Sequence, residues 1–156
     1  MGNIFHDDLR NFIKALNNHE VEYILVGGYS VILHGYARTT GDIDIWVNPT
    51  LNNYQKLLKA FYEFGMAIFD MTEKNFLHNK AMEVFTFGRP PVSIDIMKTV
   101  KGLEFKSAFN LATFIETGDL PARVVDYRDL IKAKRASGRA KDLNDIENLR
   151  SKKEKE

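Results

Sequence analysis

Residues 26–47 read VGGYSVILHGYARTTGDIDIWV. An apolar stretch from Val21 to Val26 runs into the glycine pair Gly27 and Gly28. A helix-length segment follows, and Asp42, Ile43 and Asp44 open a second apolar strand. Successive side chains of a strand alternate faces, so Ile43, Ile45 and Val47 share one face while Asp42, Asp44 and Trp46 share the other. Two carboxylates two residues apart therefore project together. Like charges held that close are unfavourable unless a cation neutralises them, which points to a divalent metal such as Mg2+ or Mn2+. Glycine carries no Cβ, so the backbone at Gly27 and Gly28 can approach a phosphate closely. The two features together indicate metal-assisted phosphate chemistry.

A third carboxylate lies downstream in PPVSIDIMKTV. Alternation puts Val92, Ile94 and Ile96 on one strand face and Ser93, Asp95 and Met97 on the other. Aspartate is depleted in strands, so Asp95 between two isoleucines calls for an explanation. If this strand lies beside the Asp42/Asp44 strand, three carboxylates converge. Such a set suits two metal ions ~3.5–4 Å apart that hold triphosphate oxygens and lower the pKa of an attacking hydroxyl. Taken singly, each Asp reads better as a solvated strand residue or a cap; jointly, on matching faces after a glycine turn, they do not.

Around this centre the periodicity predicts an α+β chain. Leu9, Phe12, Ile13 and Leu16 mark an amphipathic helix over 7–18, and Tyr54, Leu57, Leu58 and Phe61 mark another over 52–64. A short helix over 29–34 closes at Gly35, and a strand over 42–47 stops at Asn48-Pro49. Residues 82–87 and 92–97 form a hairpin around Gly88-Arg89-Pro90-Pro91. Residues 103–125 support a short helix and one more short strand. Asp126 and Asp129 open a helix over 127–137 that stops near Gly138; a last helix covers 140–150 before a charged, frayed end, SKKEKE. The expectation is a small mixed or antiparallel sheet with helices on one side. A catalytic core over 1–125 carries a C-terminal helical extension, 126–156, packed on the same domain.

The glycine pair, the 13 residues after it and Asp-Ile-Asp-Ile resemble the signature of nucleotidyltransferases that share the DNA polymerase β catalytic fold. With Arg38, Thr39 and Thr40 just ahead of the acidic strand, the version here is similar to the small bacterial toxin-like or minimal branch. The likeness covers Val21 to about Lys98, with a less specific similarity from Asp126 to Leu149. It implies Asp42, Asp44 and Asp95 as catalytic metal ligands, Asp95 also as base, and Gly27 and Gly28 against the β- and γ-phosphates of an NTP donor. Many members of that superfamily have Ser at the second glycine position; here Gly28 has no hydroxyl and Tyr29 follows, which bears on substrate identity. The resemblance also implies a helix lysine facing the nucleotide, and Lys134, beside the Leu130/Ile131 stripe, is the candidate.

Other residues read from their chemistry. The guanidinium of Arg38 matches phosphate geometry and makes it a candidate triphosphate ligand, against a surface loop Arg. Thr40 is placed to orient the Asp loop through a backbone hydrogen bond. Lys98, three residues beyond Asp95, is a candidate that reaches the site from the strand end. Trp46 shares a face with the Asp pair, as a base-stacking surface or as core and cleft wall. Lys141, Asp142 and Asp145 read as helix pairing rather than catalysis. His6, His19, His34 and His78 show no metal-ligand spacing.

Composition sets the frame. The chain has 156 residues, 44% hydrophobic and 28% charged, which suits one soluble globular domain. It has no cysteine, so disulfides, thiolate nucleophiles and Cys-based zinc sites are excluded. No apolar run approaches the ~20 residues of a membrane span, and MGNIFHDDLR lacks the regions of a signal peptide; His6 stands where a myristoylation motif wants Ser or Thr. A cytoplasmic location without membrane is the expectation. Net charge is +1, divided as +4 over residues 121–156 (11 Lys/Arg, 7 Asp/Glu) and −3 over the first 120 (11 and 14). The basic tail suits a polyanion such as RNA or the nucleotide's phosphates, or is a solvated helix face.

These readings lead to a Mg-dependent transfer of a nucleoside monophosphate from an NTP to a hydroxyl of an RNA end, a protein or a small molecule. A partner protein or homodimer could complete the cleft. The alternative is a non-catalytic or regulatory module of the same fold, such as a toxin–antitoxin component. A restriction-type metal nuclease fits worse, because its acid and Lys stand one residue apart, whereas Ile96 and Met97 separate Asp95 from Lys98.

Overall fold

The structure, a computed structural model, describes residues 7–89 and 92–155. Helix α1, Asp7–Asn18, follows the predicted stripe: Leu9, Phe12, Ile13 and Leu16 are all buried. Strand β1, Tyr23–Val26, leads directly into α2, Gly27–Leu33, and β2 is Asp42–Val47. Helix α3, Leu51–Phe64, starts where the Thr50 hydroxyl accepts from the Asn53 backbone N–H, and it stops at Gly65, whose φ of +86° suits only a residue without Cβ. Helix α4, Glu73–His78, is capped likewise by Thr72. Strands β3, Val84–Arg89, and β4, Val92–Met97, form the expected hairpin; the predicted Pro90-Pro91 turn and His6 lie outside the described residues. Helix α5, Phe105–Leu111, precedes β5, Thr113–Thr117, and β6, Leu120–Val124, and the chain closes with α6, Tyr127–Ser137, and α7, Ala140–Glu154.

The six strands form one mixed sheet in the order β3-β4-β2-β1-β6-β5. Strand β2 is antiparallel to β1 and parallel to β4, and β6 is parallel to β1. Ile43, Ile45 and Val47, with Leu25, Ile94 and Ile96, bury one sheet face against α1 and α3. Ile24, Val26 and Trp46 bury the other against Phe105 and Ala108 of α5, Leu130 and Ile131 of α6, and Ile146 and Leu149 of α7. Helices thus cover both faces rather than one, and the expected C-terminal appendage closes the second core. That is why all four residues of β1 are buried: a strand covered on both faces reads as a continuous apolar run.

One local expectation is revised, one helix was not foreseen, and one open reading resolves to core. Residues 103–125 hold a helix and two strands, the second hairpin being β5–β6, where one strand was expected. Helix α4 carries too short a stripe to show a period. Trp46 is core: it is 1% exposed, meets Phe105 edge-on at 5.1 Å, and its indole N–H donates to the Lys98 carbonyl. No helix among the described residues is long and apolar enough to cross a membrane.

Candidate active site

The register of the central strands sets the site. In the parallel pair β2–β4, Asp42 lies opposite Ser93 and Asp44 opposite Asp95. In the antiparallel pair β3–β4, Thr86 lies opposite Asp95. Cross-strand partners point to the same face, so Thr86, Asp95 and Asp44 form a row across three strands, with Asp42 and Ser93 one pleat along. The Asp44 and Asp95 carboxyls are hydrogen-bonded to each other. The Thr86 hydroxyl donates to Asp95 Oδ1 at 2.7 Å, and the Ser93 hydroxyl donates to Asp42 Oδ1 at 2.6 Å.

Gly27 opens α2 beside this row, Val26 at the end of β1 being the register partner of Asp44. Its φ is +69°, and a Cβ built there would lie 2.0 Å from Asp44 Oδ2. Gly28 packs as closely on the other side: a Cβ would meet Thr40 Oγ1 at 2.5 Å and Arg38 Nη2 at 3.2 Å. Both glycines are required by the approach of β2 and its preceding loop. Ser30, the next hydroxyl after the glycine pair, is fully buried and donates to the Gly27 carbonyl at 2.6 Å.

The electrostatics single out Asp44. Its pKa is pushed up to about 7, first by burial, then by the hydrogen bond and charge of Asp95 and the charge of Asp42, while Lys134 pulls it down. Lys134 and Asp44 line one cleft with Gly27, Met97, Leu103 and Arg139. Lys134 itself is 7% exposed, with its ammonium 3.3 Å from Asp142 and 3.1 Å from Asp145. Asp145 also holds Arg38, whose Nε stands 3.1 Å from Oδ1, out of line for a hydrogen bond, and whose Nη2 donates to Oδ2 at 3.3 Å. Asp142 takes two hydrogen bonds from the Arg139 guanidinium, at 2.7 and 3.1 Å. The network holds its Asp142 carboxyl below the usual range against an opposing burial effect.

The predicted residues therefore separate. Asp42, Asp44, Asp95, Gly27, Gly28, Arg38, Thr40 and Lys134 assemble around the end of β1; Thr40 holds its hydroxyl 3.4 Å from the Asp42 carbonyl. Lys98 does not join them. It lies just past the end of β4, three residues beyond Asp95, and its ammonium donates to the carbonyls of Asn75 and Asn79, closing the C-terminus of α4 beside the Phe85 ring. Asp142 and Asp145 are not solvated helix partners of Lys141 but the buried anions that hold Lys134 and Arg38. Their signal was the i, i+3 spacing facing Ile146 and Leu149; what hid it is that both partners come from other elements. Alternation places Ser93 on the Asp95 face and gives no signal for Thr86; only the strand register brings the two hydroxyls to the carboxylates. His34 binds the Val125 carbonyl and His19 binds Glu63, both away from the site.

Hard carboxylate oxygens suit Mg2+ or Mn2+. Among the described residues no three His, Cys, Asp or Glu stand close enough together to hold an ion alone. The set fits a cation completed by substrate phosphates and water, which is how Mg2+ is commonly held.

The sequence matches the family described as nucleotidyltransferase of unknown function (DUF6036) over residues 7–153, and the chain belongs to that family. No curated protein matches it. In fold it is similar to TM1012 of Thermotoga maritima, a nucleotidyltransferase by provisional assignment, with a TM-score of 0.56 and 18% identity over 95% of this chain and 91% of that one. It is similar also to the lincosamide antibiotic adenylyltransferase LnuA in its lincomycin-bound form, with a TM-score of 0.56 and 18% identity over 96% and 98%. JHP933 from Helicobacter pylori gives 0.50 and 15% over 89% of this chain and 61% of its own. At these identities the likeness establishes the fold.

Proposed function

We propose that this chain is a Mg2+-dependent nucleotidyltransferase that transfers a nucleoside monophosphate from an NTP to a hydroxyl acceptor and releases pyrophosphate. The observation that carries the reading is the Asp44–Asp95 pair. Two carboxyls share a hydrogen bond in a partly buried row, and burial with like charge holds Asp44 protonated up to about pH 7. A fold without use for a cation is destabilised by that arrangement, and replacing either acid would relieve it. The sequence resemblance to polymerase β-type nucleotidyltransferases, the family to which the chain belongs and the fold it shares with the adenylyltransferase LnuA support the same chemistry.

In this reading Asp42, Asp44 and Asp95 hold the metal with the phosphates of the donor. The bound ion would neutralise phosphate charge and acidify the acceptor hydroxyl. Gly27 and Gly28 let the triphosphate approach the backbone, while Lys134 and Arg38, held by Asp142 and Asp145, supply fixed positive charge beside it. The acceptor oxygen attacks the α-phosphorus, the bond to the pyrophosphate oxygen breaks, and Asp95 accepts the hydroxyl proton. Positioning and charge neutralisation provide most of the catalysis in such transfers.

The test is transfer from NTPs labelled at the α- or γ-phosphate to RNA, protein and small hydroxylated acceptors. The reading expects α-label in the product, γ-label in pyrophosphate, and loss of both with Asp44→Asn. Release of label as free phosphate, without a nucleotidylated product, would refute it.

A further inference from the structure

We infer that Thr86 and Ser93 are positioning residues that set the outer carboxylates, Asp95 and Asp42, for a divalent cation. The inference rests on the reading of Asp42, Asp44 and Asp95 as metal ligands. Each outer acid has one oxygen tied by a hydroxyl of the adjacent strand: Asp95 Oδ1 by Thr86 at 2.7 Å, Asp42 Oδ1 by Ser93 at 2.6 Å. Asp44, between them, is placed instead by the surface of Gly27.

The two hydroxyls have little other use. Thr86 is exposed on β3, which pairs only with β4, so its hydroxyl needs no partner to offset burial. Valine has the same shape and suits a strand equally well. Ser93 is 6% exposed and spends its hydroxyl on an exposed carboxylate, where alanine would leave nothing buried unsatisfied. An aspartate side chain is otherwise free to swing about χ1 and χ2. A donor on one oxygen fixes the plane of each carboxylate. Hydrogen bonds of this kind to metal-binding carboxylates are worth about 10–100-fold in metal affinity.

The experiment is titration of the full chain with Mn2+, alone and with a non-hydrolysable NTP analogue, followed by the electron paramagnetic resonance of free ion. Thr86→Val, Thr86→Ser, Ser93→Ala and Asp44→Asn are compared with the wild type, each with its thermal melt. Thr86→Val and Ser93→Ala should weaken Mn2+ binding about 10-fold, with Thr86→Ser near the wild type and melting of Thr86→Val unchanged. Wild-type affinity in Thr86→Val and Ser93→Ala overturns the inference, as does Thr86→Ser binding as weakly as Thr86→Val. A wild type that binds Mn2+ no better than Asp44→Asn overturns the metal-site reading itself, and the inference with it.

Discussion

Replacing Asp44 by asparagine should stabilise the metal-free protein at alkaline pH, although it removes a residue of the proposed active site. The Asp44 carboxyl ionises at about 7 in the fold against 3.8 for an unperturbed group. An acid whose pKa is raised on folding binds its proton more tightly in the folded state. Stability is then fully present below about pH 4 and falls as pH rises to about 7, above which the deficit is constant. Three units at about 1.4 kcal/mol each give a ceiling of about 4 kcal/mol. Relaxation and water entry reduce this, and about 1–3 kcal/mol is expected. Asparagine keeps the shape without the charge. Urea unfolding in EDTA should therefore show Asp44→Asn more stable than the wild type at pH 8, with the advantage nearly gone at pH 4. Added Mg2+ should narrow the gap at pH 8 by stabilising the wild type alone. A variant less stable than the wild type at pH 8, or a difference that does not change with pH, would refute the reasoning.

Gly27→Ala should lower stability by about 1–3 kcal/mol and weaken Mg·NTP binding, because the new methyl at positive φ meets the Asp44 carboxylate; urea unfolding and calorimetry check both. Asp145→Asn leaves Arg38 and buried Lys134 short of an anion and should cost about 3 kcal/mol in urea unfolding, with weaker nucleotide binding. Lys98→Met separates two roles for that lysine: stability should drop by about 1–3 kcal/mol as the α4 carbonyls lose their donor, while nucleotide affinity stays at the wild-type value.

Periodicity was enough for α1 and α3, whose buried stripes run more than two turns, capping and stop signals for α6, and alternation for the Asp strands. It failed for α4 and for β5–β6. The first is a six-residue helix held by its Thr72 cap, and in TFIET only Thr117 is fully buried, so neither shows a period. The three aspartates were legible because type and spacing are local. Their row across β2 and β4 needed the parallel register, which no local pattern specifies. Lys98 was misplaced because distance along a strand says nothing of which way a long side chain turns; two helix-end carbonyls claim it. Asp142 and Asp145 look like an exposed helix pair beside Lys141 in the sequence. Their burial follows from partners at Arg38 and Lys134, about 107 and 11 positions away at the widest, and such long-range ion pairs leave no trace in local charge pattern.

The central claim is a metal-dependent nucleotide site on the Asp44–Asp95 row. Calorimetric titration of ATP, GTP, CTP and UTP, each with and without Mg2+, into the wild type and Asp44→Asn tests it most directly. The account predicts that at least one nucleotide binds the wild type only with Mg2+, and that Asp44→Asn abolishes this binding while remaining folded. Binding that is indifferent to Mg2+ or to Asp44→Asn, or no binding of any nucleotide, would contradict it.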